Sequence, residues 1–176
     1  MNDTKQVAKD LLGKTLIRKI GKQILSGVII ETEAYKGKND PASHSSRKKT
    51  ERNKVMFAQV GMSYVYFTYG MHYCFNVVAK KDSDESGAVL IRSIQPQLGI
   101  KTMIKNRKID LISNLVNGPA KLTQALQITK KQYHVDLTKD SDLFIMDGVS
   151  STKILAKPRI GITLGADKLW NFSFKI

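Results

Sequence analysis

The sequence predicts an α+β fold, a single domain built on a mainly antiparallel sheet with short flanking helices. Three observations carry that expectation. Strand-like runs dominate, and two of them meet across a tight turn. Helical periodicity occurs only in short pieces. No linker rich in Pro, Gly or Ser, no internal repeat and no low-complexity tract divides the 176 residues, so one domain over 1–176 is expected.

The elements follow in order. Thr4 to Leu12 reads as a short helix with Val7, Leu11 and Leu12 on one side, stopped by Gly13. Lys14 to Arg18 and Leu25 to Tyr35 read as strands. Asn39 to Asn53 is polar and irregular, holding Pro41, His44 and the basic run Arg47, Lys48, Lys49. Its polarity places it outside the core and makes it a candidate functional loop. Ser63 to Phe67 and His72 to Ala79 read as two strands joined through Tyr69, Gly70 and Met71, an aromatic-tipped hairpin. After a polar turn, Lys80 to Ser86, come a strand at Ala88 to Ile94 and a basic amphipathic helix at Leu98 to Arg107. Pro119 to Leu126 reads as a helix with its proline in the first turn, where a missing N–H costs nothing. Short strands are expected at Leu143 to Met146, Lys153 to Ala156 and Asn171 to Lys175.

Charge narrows the partners. Twenty-nine Lys and Arg against fifteen Asp and Glu leave a net charge of +14, which attracts polyanions, nucleic acid foremost. A ribosomal or membrane-surface protein would share that balance. The single cysteine, Cys74, excludes an intramolecular disulfide and a multi-cysteine metal site. No secretory h-region and no apolar run near the ~18 residues of a membrane span is visible. An intracellular protein without a membrane segment is therefore expected.

Two motifs carry candidate chemistry. Along Val28 to Tyr35, strand alternation puts Glu31, Glu33 and Tyr35 on one face and Val28, Ile30, Thr32 and Ala34 on the other. Carboxylates two apart on a strand are separated by ~6.7 Å at the backbone. Such a pair suits glycosidic acid/base chemistry, a divalent cation, or simply a solvated strand face. Along Tyr64 to Met71, Tyr64 and Tyr66 share a face and Tyr69 sits at the turn. Interleaved with positive charge, these aromatics match what nucleic-acid binders use to stack on bases or wedge steps apart, although a tyrosine-rich strand also serves as an ordinary rim. His44, His72 and His134 lack zinc-site spacing. The zinc-deaminase signature, the P-loop, the dinucleotide fingerprint and the serine elbow are all absent. Arg47, Lys48 and Lys121 are candidate phosphate contacts that could equally be solvated surface.

Taken in order, several segments resemble the methylpurine (alkyladenine, 3-methyladenine) DNA glycosylase family: Leu11 to Lys14, Glu31 to Tyr35, Asp40 to His44, Arg52 and Asn53 with Met56 and Phe57, and Tyr64 to Asn76. They continue through Val89 to Arg92, Gly118 to Leu122 and Arg159 to Gly161. The resemblance implies a curved sheet with a protruding, DNA-intercalating hairpin. It implies a monofunctional enzyme that extrudes alkylated or deaminated purines and hydrolyses the N-glycosidic bond. By position, Glu33 corresponds to the carboxylate that activates water. Arg92 and the backbone carbonyl of Ile160 correspond to groups that help hold that water. Tyr35, Tyr66 and His44 correspond to the residues enclosing the extruded base, Asn76 to the one disfavouring guanine's 2-amino group, and Tyr69 to the intercalating residue. The implied partner is double-stranded DNA bearing a damaged purine, bound by a monomer without cofactor or metal. His72, Tyr73 and the turn from Ser83 to Ser86 depart from the family pattern. A non-catalytic binder of distorted DNA and an RNA-binding protein remain the alternatives.

Overall fold

A computed structural model describes residues 2–109, 111–150 and 153–175. Its strands are β1 (Thr15–Ile20), β2 (Gln23–Lys36), β3 (Ser63–Thr68), β4 (His72–Val78), β5 (Gly87–Leu98), β6 (Leu143–Met146), β7 (Leu155–Lys157) and β8 (Asn171–Ser173). The α-helices are α1 (Thr4–Asp10), α2 (Ile100–Arg107) and α3 (Pro119–Ala125). The sheet order is β3-β4-β5-β2-β1-β6, with β8 also pairing β2 and β7 pairing β8, and these pairings are antiparallel. The α+β expectation therefore holds, with a single curled sheet. Short 3-10 turns at Lys54–Phe57, Ile112–Asn114 and Lys130–Gln132 are additions that hydrophobic periodicity does not signal.

β2 is the axis of the domain. Fourteen residues long, it pairs with β5 along one edge, and along the other with β1 and then, from Glu31 to Glu33, with β8. The β2–β5 register steps from Ile29↔Ile94 to Glu31↔Ser93 and then Thr32↔Ile91, leaving Ile30 and Arg92 as extra residues. Such bulges bend and twist a strand and re-aim the side chain of the extra residue.

The two faces of the sheet have different tasks. Val65, Phe75, Val77, Val89 and Ala34 lie on one face, in the main core with Ala8 and Leu11 of the α1 region, Met103 of α2, and Leu122 and Ala125 of α3. The opposite face carries a smaller cluster in which the Lys54–Phe57 turn packs Val55 and Met56 beside Tyr64, Val78 and Ala88. The helical expectation from Leu98 is shortened: Leu98 ends β5, and Gly99, at φ +74°, turns the chain into α2. Only a residue without Cβ takes that conformation freely, and a Cβ there would also meet Leu25 and the Ile24 carbonyl at 2.9 Å.

One expectation is corrected. The loop 39–53 is not wholly outside the interior, because Asp40, Ser43, Ser45 and Asn53 are buried. Hydrogen bonds make that burial tolerable. The Asn53 amide donates to the carbonyls of His44 and Lys48 at 2.7 and 2.9 Å and accepts from the Thr50 N–H at 2.7 Å. Ser86, at the end of the polar turn, donates to Ser45 at 2.8 Å. The loop is thus a fixed platform that presents His44.

Candidate active site

The strand register assembles the site. Across β3, β4, β5, β2 and β8, the directly opposed residues are Tyr64↔Asn76, Asn76↔Leu90, Leu90↔Glu33 and Glu33↔Asn171. Directly opposed side chains share a face, so one row crosses five strands. Tyr66↔Cys74 and Tyr35↔Ala88 lie one step along the same face. A cavity of about 310 Å³ opens over this row, lined by Tyr35, His44, Tyr64, Tyr66, Tyr69, Asn76, Leu90 and Arg92, among others, with Ile160 to Ile162 at its edge.

Glu33 is fully buried, which overturns the solvated-face alternative. Its Oε1 accepts from the Ile160 N–H at 2.8 Å and the Asn171 amide at 3.1 Å. Its Oε2 accepts from the Tyr35 hydroxyl at 2.8 Å and lies 3.5 Å from Arg92 Nη1. Arg92, which follows Ala88 and Leu90 on the cavity face of β5, also donates from Nε to Glu31 at 3.2 Å, and the Asn171 amide reaches Glu31 at 2.8 Å. Arg92 and Asn171 therefore compensate two carboxylates that would otherwise repel. Tyr35 and Arg92, the partners of Oε2, line the cavity, and so does Ile160, a partner of Oε1, so the carboxylate lies directly behind the cavity lining. The 3.5 Å contact is the loosest of the four. It leaves Oε2 the capacity to accept one more proton donor.

Aromatic walls complete the enclosure. The His44 ring meets Tyr66 edge-on, centroids 4.5 Å apart, and His44 Nδ1 hydrogen-bonds the Tyr64 hydroxyl at 2.8 Å. Tyr64 and Tyr66 lie 5.3 Å apart, and the Arg52 guanidinium sits 5.2 Å from the Tyr66 centroid. Burial and the Glu33 carboxylate push the Tyr35 phenol far above its ordinary pKa, and burial with Cys74 does the same to Tyr66. These phenols remain neutral donors. Desolvation and the nearby Arg52 charge lower the His44 pKa, which favours neutral imidazole. Asn76 is buried, its amide donating to the Tyr64 carbonyl at 2.9 Å.

Tyr69 is different. It is 84% exposed at the β3–β4 turn, with φ +51°, a left-handed conformation that costs a bulky residue about 1–2 kcal/mol. The three basic candidates do not line the cavity. Arg47 and Lys48 are exposed on the loop 39–53, and Lys121 bonds Asn117 locally at 2.7 Å. The sequence assigns no site role to Asn171, Arg52 or Cys74, although all three contact site residues. A weak strand former opening a short strand was the available signal for Asn171. Among the described residues no three His, Cys, Asp or Glu side chains converge as metal ligands.

Comparison with known proteins agrees with this geometry. Residues 1–175 match the family described as Methylpurine-DNA glycosylase (MPG). Relatives named as candidate 3-methyladenine DNA glycosylases include one from Prosthecochloris aestuarii, 47% identical over 93% of this chain and 79% of its own. Another, from Francisella tularensis, is 47% identical over 98% of this chain and 90% of its own. A third, from Carboxydothermus hydrogenoformans, is 47% identical over 96% and 88%. A buried carboxylate below an aromatic cavity thus lies in a chain that aligns with these relatives over at least 93% of its length, and the chain belongs to the methylpurine-DNA glycosylase family of DNA glycosylases.

Proposed function

We propose that the protein is a monofunctional glycosylase of base excision repair. It extrudes alkylated or deaminated purines, of the 3-methyladenine, 7-methylguanine, hypoxanthine and ethenoadenine class, from duplex DNA and hydrolyses their N-glycosidic bond. The observation that carries this reading is Glu33: fully buried, bonded from four sides, with three of its four partners, Tyr35, Arg92 and Ile160, lining the cavity.

A stacked base cannot be attacked at its sugar, so extrusion precedes chemistry and costs a few kcal/mol, least for damaged or mispaired bases. Tyr69 offsets part of that cost by filling the vacated stack. Tyr35, His44 and Tyr66 enclose the base, and their faces favour a cationic alkylated purine through cation–π attraction. Asn76 narrows the pocket against guanine's 2-amino group. Glu33 Oε2 takes a proton from a water held with the help of Arg92 and the Ile160 carbonyl. The resulting hydroxide attacks C1′ as the C1′–N bond breaks, and its electron pair leaves with the base. The carboxylate also stabilises the oxocarbenium-like sugar. Among the described residues no lysine lines the cavity, which supports water rather than an amine as nucleophile. Arg47, Lys48 and Lys121 are proposed backbone contacts. The enzyme would act as a monomer wherever the genome resides.

The test is base release from duplexes carrying hypoxanthine or 7-methylguanine. Wild type should leave abasic sites without strand cleavage. Glu33→Gln should lose about 10²–10⁴-fold in single-turnover rate with lesion-duplex affinity nearly unchanged. Release by Glu33→Gln at the wild-type rate sinks the assignment.

A further inference from the structure

Behind the cavity wall lies a second buried charge pair. Arg159 donates from Nη1 and Nη2 to the two Asp40 oxygens at 2.6 and 2.7 Å, and both side chains are fully buried. Nη1 also donates to the Ala34 carbonyl at 3.0 Å, on the strand residue between Glu33 and Tyr35. The guanidinium lies 4.7 Å from the Tyr35 ring centroid and 5.0 Å from that of Trp170. Trp170 directly precedes Asn171, and its carbonyl accepts from the Ala34 N–H at 2.9 Å. Arg159 itself precedes Ile160, whose N–H holds Glu33 Oε1. One side chain therefore contacts or adjoins the segments supplying three donors to Glu33: the Tyr35 hydroxyl, the Ile160 N–H and the Asn171 amide. Through Asp40 it also ties down the loop that carries His44.

Stability alone explains this arrangement poorly. A buried ion pair gains little over an apolar replacement once desolvation is counted. Here, moreover, Arg159 Nε is buried with no hydrogen-bond partner. A group left unsatisfied in this way calls for another explanation. Resting on the reading that Glu33 activates water, we propose that Arg159 is a positioning residue that sets the orientation of the Glu33 carboxylate through Tyr35 and Ile160, with Asp40 holding it in place. It does not touch substrate. It fixes the ring whose hydroxyl aligns Oε2 and the peptide that aligns Oε1.

Arg159→Lys keeps the charge facing Asp40 but loses the planar fork that spans the carboxylate, the Ala34 carbonyl and two rings. In single-turnover release from a hypoxanthine duplex it should be about 10–100-fold slower, with lesion-duplex Kd changed less than about 3-fold, consistent with the cost of small misplacements at a reacting centre. The decisive measurement is a double-mutant cycle with Tyr35→Phe, which keeps the ring and removes the hydroxyl. If Arg159 acts through that hydroxyl, the lysine substitution should cost markedly less in the Tyr35→Phe background. Multiplied losses, or a rate loss matched by an equal loss of folded protein, overturn the proposal. Trp170→Leu, which removes one ring and leaves the ion pair intact, gives the same comparison if Arg159→Lys does not fold. Glu33→Gln run alongside separates the two ideas. An active Glu33→Gln defeats the water-activation reading, whereas an inactive one with multiplied Arg159 and Tyr35 losses defeats only the positioning role.

Discussion

Glu33 and Tyr69 sit at opposite extremes of the same cavity. Glu33 is sealed from solvent and held by four polar contacts from β2, β5, β8 and the Ile160 segment. Tyr69 is 84% exposed, on a turn whose backbone is left-handed. A group that must act on one atom gains from being over-determined, since preorganised dipoles need no reorganisation during reaction. In its proposed wedge role Tyr69 has to be presented to solvent, and the left-handed backbone is the local cost of that presentation. Rigidity and exposure are thus divided between the interior and the rim.

Four measurements bear on that division. The largest effect should come from Arg92→Gln, which leaves Glu31 and Glu33 with only Asn171 between them. Breaking a buried ion pair by removing one partner costs about 3–5 kcal/mol. A lower urea midpoint and at least a tenfold slower base release are expected. Unchanged values for both would show that the interior is not electrostatically determined.

Tyr69 should behave in the opposite way. Tyr69→Gly removes the left-handed strain, so the free protein should gain about 0.5–1 kcal/mol and its Tm should rise by roughly 1–3 °C. Lesion-duplex affinity and base release should both fall. A gain in stability with unchanged binding removes the proposed wedge.

Salt dependence divides the basic candidates more finely. If Arg47 touches a phosphate, Arg47→Ala should lower the slope of log affinity against log salt by about 0.9. Lys121 is already bonded to Asn117, so Lys121→Ala should change the slope less. Equal slopes for all three proteins would place the phosphate path elsewhere.

The smallest effect concerns His44. Its folded-state pKa lies below the unfolded value of about 6.5, so the folded protein binds fewer protons below that pH. Well above pH 6.5 the group is neutral in both states and has no effect. As pH falls from there toward the folded pKa, stability is progressively lost, and a cation appears beside the proposed base site. Release of cationic 7-methylguanine should therefore fall across this range, and His44→Gln should flatten that part of the profile. A profile identical in His44→Gln would rule His44 out as its source.

Legibility in the sequence differed by region. β6 was legible residue for residue, and β3 and β4 to within one, because period-2 alternation and a glycine-bearing turn are local signals. The face shared by Glu31, Glu33 and Tyr35 was legible for the same reason. That Glu33 is buried was not, since a carboxylate on a strand reads as solvated until its partners are known. Those partners, Arg92, Ile160 and Asn171, lie 59, 127 and 138 residues away along the chain. Likewise Asp40 and Ser45 looked like surface loop because their partners, Arg159 and Ser86, are remote in sequence.

The amino-acid sequence by itself determined the α+β class, the charge that draws the protein to a polyanion, the exposed aromatic turn and the carboxylate-bearing strand. Each of these depends on side-chain type and on spacing over a few residues. Only the tertiary structure decided which carboxylate is sealed under the cavity, that Arg92 of β5 lies against it, and that the Arg159–Asp40 pair is buried beside the Tyr35 ring. Those outcomes depend on register between strands. A shift of one residue would reverse every face, and register is settled by packing of the whole sheet.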